Sequence, residues 1–240
     1  MQFTKSFLLF AALATNTFAL PANPERRDDS SSSSYSTSGF GSATNPIGSG
    51  NTYAGNVGSP YGSNIIEISA STASQYKYVM EIQAPSTDSY TVAIWNKYGP
   101  DGRMDGWYGN ACKTTTIAAG SSAYFAFDED TNGGFAAAPG SIPTDSNGGY
   151  ASTWGEFDFG SSVNNAWSGF DVSAIAAQNA GLDVQGMKIC DAVGGTCSSI
   201  TPGAAVVDNA YTAAETDIGG IGGNLAAGPV RLVATLGYSG

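Results

Sequence analysis

From about residue 51 the chain is a succession of short apolar and β-branched runs, each closed by Gly, Asn, Asp or Ser. The runs are 64–69, 76–83, 90–96, 113–118, 123–128, 150–159, 184–190 and 230–238. Strands of this length and spacing predict an all-β sandwich. In 230–236, Val230, Leu232, Ala234 and Leu236 fall on one face, opposite Arg231, Val233 and Thr235. In 123–127, Ala123, Phe125 and Phe127 share a face. In 90–95 both faces are apolar, Tyr90, Val92 and Ile94 against Thr91, Ala93 and Trp95, which predicts a central strand covered on both sides. The one helical pattern, Val172 to Ala180, is Ala-rich but too short for more than a turn of helix between strands. The expected architecture is a single β-sandwich over 51–240, with Gly-rich loops and at most short helices.

The region before residue 51 has a different character. Residues 1–19 read as a secretory signal: Lys5, an apolar stretch from Phe7 to Ala14 too short to span a bilayer, then small residues ending at Ala19. Residues 20–27 end in Arg26-Arg27, the expected dibasic end of a propeptide. Residues 28–50, with an unbroken Ser run from Ser30 to Ser34, cannot build a core and are expected to form a flexible tail. The expected location is extracellular, in contact with the cell wall.

Composition narrows the chemistry. The 240 residues include no His, so Ser-His-Asp and Cys-His catalysis and histidine metal sites are excluded. The net charge of −11 disfavours nucleic acid and anionic membranes as partners. Of three cysteines, Cys190 and Cys197 can close a small loop in an oxidising compartment, worth about 2–2.5 kcal/mol. Cys112 is then left over, most simply as a buried apolar thiol. No phosphate-cradling loop or Cys/His metal set is present, so no cofactor is expected.

Three segments carry candidate chemistry. In Trp154-Gly155-Glu156-Phe157-Asp158-Phe159, alternation places Phe157 and Phe159 inward and Trp154, Glu156 and Asp158 together on the other face. Two carboxyl groups beside an aromatic plate can bind a sugar, and their spacing also permits a glycosidase pair. An ordinary acidic strand surface explains the same residues and is the more economical reading as regards catalysis. Asp128-Glu129-Asp130-Thr131-Asn132-Gly133 spells the first half of a calcium loop through Asp128, Asp130 and Asn132, but Pro139 stands where the closing Glu is needed; a turn explains it as well. Gly106-Trp107-Tyr108-Gly109 offers two adjacent aromatics, either a stacking platform or core.

Several segments together carry a family resemblance. Trp95-Asn96-Lys97, Gly99-Pro100-Asp101-Gly102, Gly106-Trp107-Tyr108-Gly109-Asn110, Trp154 to Phe159, Asp171-Val172-Ser173-Ala174-Ile175 and Gln185-Gly186-Met187-Lys188-Ile189-Cys190 occur in the order typical of the secreted Aspergillus major allergens of the Asp f four type. The chain resembles that family over roughly 45–240. The resemblance implies an IgE-binding secreted antigen. A fainter similarity is to thaumatin-like proteins, β-sandwiches with an acidic cleft, some of which bind or cleave β-1,3-glucan. That similarity implies that Glu156 and Asp171 line a cleft, while the rest of the cleft set and the dense disulfides of that family have no counterpart.

The reading that follows is a non-catalytic, wall-associated glycan binder, with Trp107, Tyr108, Trp154, Glu156 and Asp171 in contact with polysaccharide and host IgE as a partner by resemblance. The alternatives are a β-glucan hydrolase using Glu156 with Asp158 or Asp171, and an extracellular structural protein with no ligand.

Overall fold

The computed structural model describes residues 34–240. The expected signal and propeptide, and the first part of the Ser-rich segment, lie outside the described residues. In chain order the elements are β1 (Ile65–Ile68), β2 (Tyr78–Gln83), β3 (Tyr90–Asn96), β4 (Lys113–Ile117), β5 (Ser122–Phe127), β6 (Thr131–Pro139), β7 (Trp154–Ser161), β8 (Trp167–Ser173), α1 (Ile175–Ala180), β9 (Met187–Asp191), β10 (Cys197–Ile200), β11 (Val207–Asp208), β12 (Gly223–Leu225) and β13 (Val230–Leu236). The fold is all-β. One sheet runs β1-β5-β2-β13-β9-β10-β11 and the other β12-β8-β7-β6-β3-β4. All pairings are antiparallel except β13 with β2.

The two sheets meet across one apolar core. Tyr78, Met80, Ile82, Phe125, Phe127 and Leu232 from the first sheet pack with Val92, Ile94, Phe135, Phe157, Phe159 and Phe170 from the second. Alternation supplies each row, as in Val230, Leu232, Ala234 and Leu236, all buried on the core side of β13. Phe127, Phe157 and Phe159 form the aromatic centre, with ring centroids 4.7–5.3 Å apart.

Three differences from the sequence reading have physical causes. Residues 131–139 form the long strand β6, although Gly133, Gly134 and a run of alanines have little strand propensity. Close packing demands the small residues. A Cβ on Gly133 would lie 2.0 Å from the Trp95 carbonyl oxygen, and one on Gly155 of β7 2.2 Å from the Phe135 ring. The helical pattern begins too early: Val172 and Ser173 end β8, and α1 starts at Ile175. Pairing with β7 holds them in the sheet, since Val172 faces Gly155 and Ser173 faces Trp154.

Residues 34–50 do not hang free as a tail. Phe40 packs against the outer side of the first sheet and stacks edge-on with Tyr76 at 5.7 Å. Ser42 bridges Ser59, and Thr44 is fastened to Asn56. Among the described residues no helix is long and apolar enough to cross a membrane.

Candidate functional site

The outer face of the six-stranded sheet carries the polar residues. Register across β6, β7 and β8 arranges them in rows. Asn132, Asp158 and Gly169 form one row, and Gly134, Glu156 and Asp171 the next. Lys97 follows the end of β3, and its backbone N–H donates to the Asn132 carbonyl at 2.9 Å. The face is not open to solvent. The segment 49–53 and the turn after β7 rise over it and leave a cleft of about 270 Å³. Its polar lining includes Lys97, Asn132, Glu156, Asp158, Ser161 and Asp171.

Tyr53 fastens the covering segment. Its hydroxyl donates to Asp130 and lies 2.9 Å from Ser162 Oγ, and the Ser162 backbone N–H also donates to Asp130 at 3.0 Å. On the far side Gly222 closes over Asp171. A Cβ there would stand 2.8 Å from the Asp171 Cβ, at a φ of 112° that only glycine adopts readily.

The electrostatics follow from this enclosure. Glu156 and Asp171 face each other directly across the β7–β8 ladder, and both are buried. Cβ atoms of such opposed residues are about 4.5–5.5 Å apart. Burial, and then the Asp171 carboxyl opposite, hold the Glu156 carboxyl well above the usual carboxylate range, while Lys97 draws it partly back. Burial pushes Asp171 up to about 7, and Asp158 likewise to about 7. The Lys97 ammonium is pushed down to about 8 by burial, against the pull of Asp158 and Glu156. The cleft is therefore a place where carboxyl groups hold protons that exposed carboxylates would release. Oδ1 of Asp171 is buried without a hydrogen-bond partner among the described residues, and Ser161 holds the Asp158 carboxyl.

Residues 63–236 match the family model of the Allergen Asp f 4-like domain. The chain belongs to that family. It is 51% identical over 205 residues to Allergen Asp f 4 of Aspergillus fumigatus, a match covering 85% of this chain and 64% of that protein. The chain thus spans less than two thirds of that relative's length. Among solved structures it is similar to the protein elicitor MoHrip2 from Magnaporthe oryzae, at 13% identity and a TM-score of 0.41, over 67% of this chain and 99% of that one. In this member of the Asp f 4-like family, all the strand-borne residues of the cleft lie within the matched span, and the covering segment 49–53 lies before it.

The aromatic candidates gather elsewhere. Trp154 shares its face of β7 with Glu156 and Asp158, but it is no open plate: it is 1% exposed, packed among Trp95, Trp107 and Ala136. Trp107 is 7% exposed in the same cluster. The loops 97–112 and 140–153 cover this end of the sheet, so the expected half-exposed strand has both faces buried. Tyr108 alone of the three keeps an open ring, 41% exposed. These aromatics border a second pocket of about 350 Å³, with Asp145, Asn147, Tyr150 and Asn179.

The calcium-like spelling disperses. Asp128 accepts from Asn56 Nδ2, Asp130 is held by Tyr53 and Ser162, and Asn132 lines the cleft. Asp130 takes a left-handed φ of 65° in the turn between β5 and β6. Among the described residues no group of three or more acidic or cysteine side chains is placed to hold a metal. Cys190 and Cys197 form a disulfide directly across the β9–β10 pair. Cys112 is a free, partly buried thiol, with Asn96 Nδ2 at 3.4 Å, and burial pushes its pKa up. Lys97 enters the sequence reading only within the resembling segment Trp95-Asn96-Lys97 and not as a site residue. Extending the alternation of β3 beyond Trp95 places it on the Trp95 face, which is the signal that could have found it.

Proposed function

We propose that the protein is a secreted, wall-associated glycan binder without catalytic activity, and that the acidic cleft is where sugar hydroxyls are held. The observation that carries this reading is the unpartnered Asp171 Oδ1 inside a polar cleft, with the Asp158 carboxyl beside it held by Ser161. A buried polar atom without a partner is costly, and a ligand hydroxyl would satisfy it. Carboxyl groups that keep their protons offer O–H donors beside carbonyl acceptors, and Lys97 and Asn132 add further donors. Sugar hydroxyls require both kinds of partner. The cleft volume lies just below the range of ligand pockets, about 300 Å³ upward, which suits one sugar ring. Secretion rests on the signal-like N-terminus and fits the Cys190–Cys197 disulfide. Recognition by host IgE rests on the family, whose named member is an allergen.

One observation favours a second reading, hydrolysis of β-glucan: Glu156 stands directly opposite Asp171. Retaining glycosidases hold their carboxyl groups about 5–5.5 Å apart. In that reading Glu156 gives its proton to the leaving oxygen while the Asp171 carboxylate attacks the anomeric carbon. Water then releases the sugar and returns the proton to Glu156. With Asp171 at about 7, its carboxylate is well populated only above neutrality, and at acid pH the cleft lacks a nucleophile.

The two readings separate in one experiment. The purified protein is mixed with insoluble β-1,3-glucan and, separately, chitin at pH 5 and 8; pelleted protein and released reducing sugar are measured. Pelleting that falls in Asp158→Ala, without sugar release, is the expected result. Sugar release at pH 8 that vanishes in Glu156→Gln would establish the hydrolase instead. Absence of both signals would remove both readings and leave a protein without a wall ligand.

A further inference from the structure

The second pocket, between the loop 105–110, the loop 143–151 and α1, shares no lining residue with the acidic cleft. Its construction differs from that of a stray surface depression. Asp145 Oδ1 accepts from the backbone N–H groups of Asn147 and Gly149, which pins the tip of the second loop. The Tyr150 N–H donates to the Trp107 carbonyl at 3.0 Å, joining the two loops. Gly149 lets them close. A Cβ there would lie 3.0 Å from the Tyr108 ring and 3.2 Å from the Trp107 ring.

Tyr108 is thereby held on one side by Trp107, at a centroid distance of 5.3 Å, and by the Gly149 backbone, while much of its ring stays exposed. An aromatic ring already fixed before binding loses little conformational freedom when a ligand stacks on it. The exposed side chains of Asn147 and Asn179 stand on the rim. The pocket therefore offers a flat apolar surface beside the amide edges of Asn147 and Asn179 and the Asp145 carboxyl, whose Oδ1 is taken up by the loop. The net charge of −11 disfavours an anionic occupant. A neutral pyranose ring, apolar on one face and hydroxylated around its edge, matches both features.

We propose that this pocket is a second carbohydrate site, which seats the apolar face of one neutral sugar ring on Tyr108 independently of the acidic cleft. The protein then holds glycan at two places on one sheet face, and two modest sites on one polymer give avidity without any new contact. The proposal shares a ligand class with the cleft reading but none of its residues, so either can fail alone.

The test is titration of the full secreted protein with the soluble hexasaccharides of β-1,3-glucan and of chitin, followed by calorimetry and by tryptophan emission. Trp107 and Trp154 line this pocket, whereas no tryptophan lines the cleft, so emission reports the second site. A saturable emission change is expected with at least one of the two sugars. Its affinity should fall about tenfold in Tyr108→Ala, fall less in Asn147→Ala, stay near wild type in Tyr108→Phe, and be unchanged in Asp171→Asn. Near-UV circular dichroism checks that the aromatic cluster is intact in each variant. No saturable change with either sugar, an affinity unaltered in Tyr108→Ala, or loss of the emission change in Asp171→Asn would each overturn the proposal. Saturable calorimetric binding of indole, lost in Tyr108→Ala, where neither sugar binds, would overturn the proposal and reassign the pocket to planar aromatic ligands.

Discussion

Trp154 and Glu156 stand two residues apart on β7 and project from the same face, about 7 Å from one another. Around Trp154 the cover is apolar, and the indole gains from burial among Trp95, Trp107 and Ala136. Around Glu156 a largely polar cover encloses Asp158 and Asp171, whose charged forms lose water, beside Lys97, which draws Glu156 and Asp158 partly back. One end of this sheet face therefore supports the fold, and the other stores a cost. A buried set of carboxyl groups that contributes little to stability is expected where a ligand uses it.

The comparison breaks first on stability. Trp154→Ala should cost about 3–5 kcal/mol in urea denaturation, because the indole is fully enclosed. A loss below 1 kcal/mol would mean that the aromatic end is not a core.

A second effect concerns pH. Asp158, Asp171 and Glu156 all have native pKa values above their ordinary ones, so between about pH 4 and 7 the folded protein binds more protons than the unfolded chain. Their contribution to stability is full below the ordinary carboxylate range and is lost as pH rises towards 7. Lys97, at about 8, stays protonated in both states through that window. Denaturation midpoints should decline from pH 4 to 7.5, and Glu156→Gln should flatten the decline, since an amide opposite Asp171 removes one of the two coupled charges. A wild-type profile that rises over this range would show that the cleft does not hold its protons.

The smallest effect separates binding from folding. Tyr108→Ala should cost no more than about 1.5 kcal/mol, because part of the ring faces solvent and the main loss is its contact with Trp107. A larger loss would place Tyr108 with the core rather than with a binding surface.

The sequence shows the sandwich through alternation wherever a strand pairs a core face with a contrasting one, as β13 and β5 do. It hides β6, because Gly133 and Gly134 are there to make room for Trp95 rather than to favour a strand. Alternation likewise places Trp154, Glu156 and Asp158 together on one face of β7. It cannot tell that loops bury that face, since their path is set by distant contacts such as Tyr53 with Asp130 and Tyr150 with Trp107. The opposition of Glu156 and Asp171 depends on the β7–β8 register, which alternation within a single strand does not carry. Lys97 joins them only once β3, β6 and β7 are known to be neighbours.

The central claim is that the cleft carboxyls keep their protons to near neutrality and meet the ligand. Carboxyl-carbon NMR on protein labelled at Asp and Glu, titrated with and without the β-1,3-glucan hexasaccharide, tests it most directly. Midpoints near 7 are expected for Asp158 and Asp171, with a displacement of both signals when the sugar binds. Midpoints near 4, or signals that ignore saturating sugar, would contradict it.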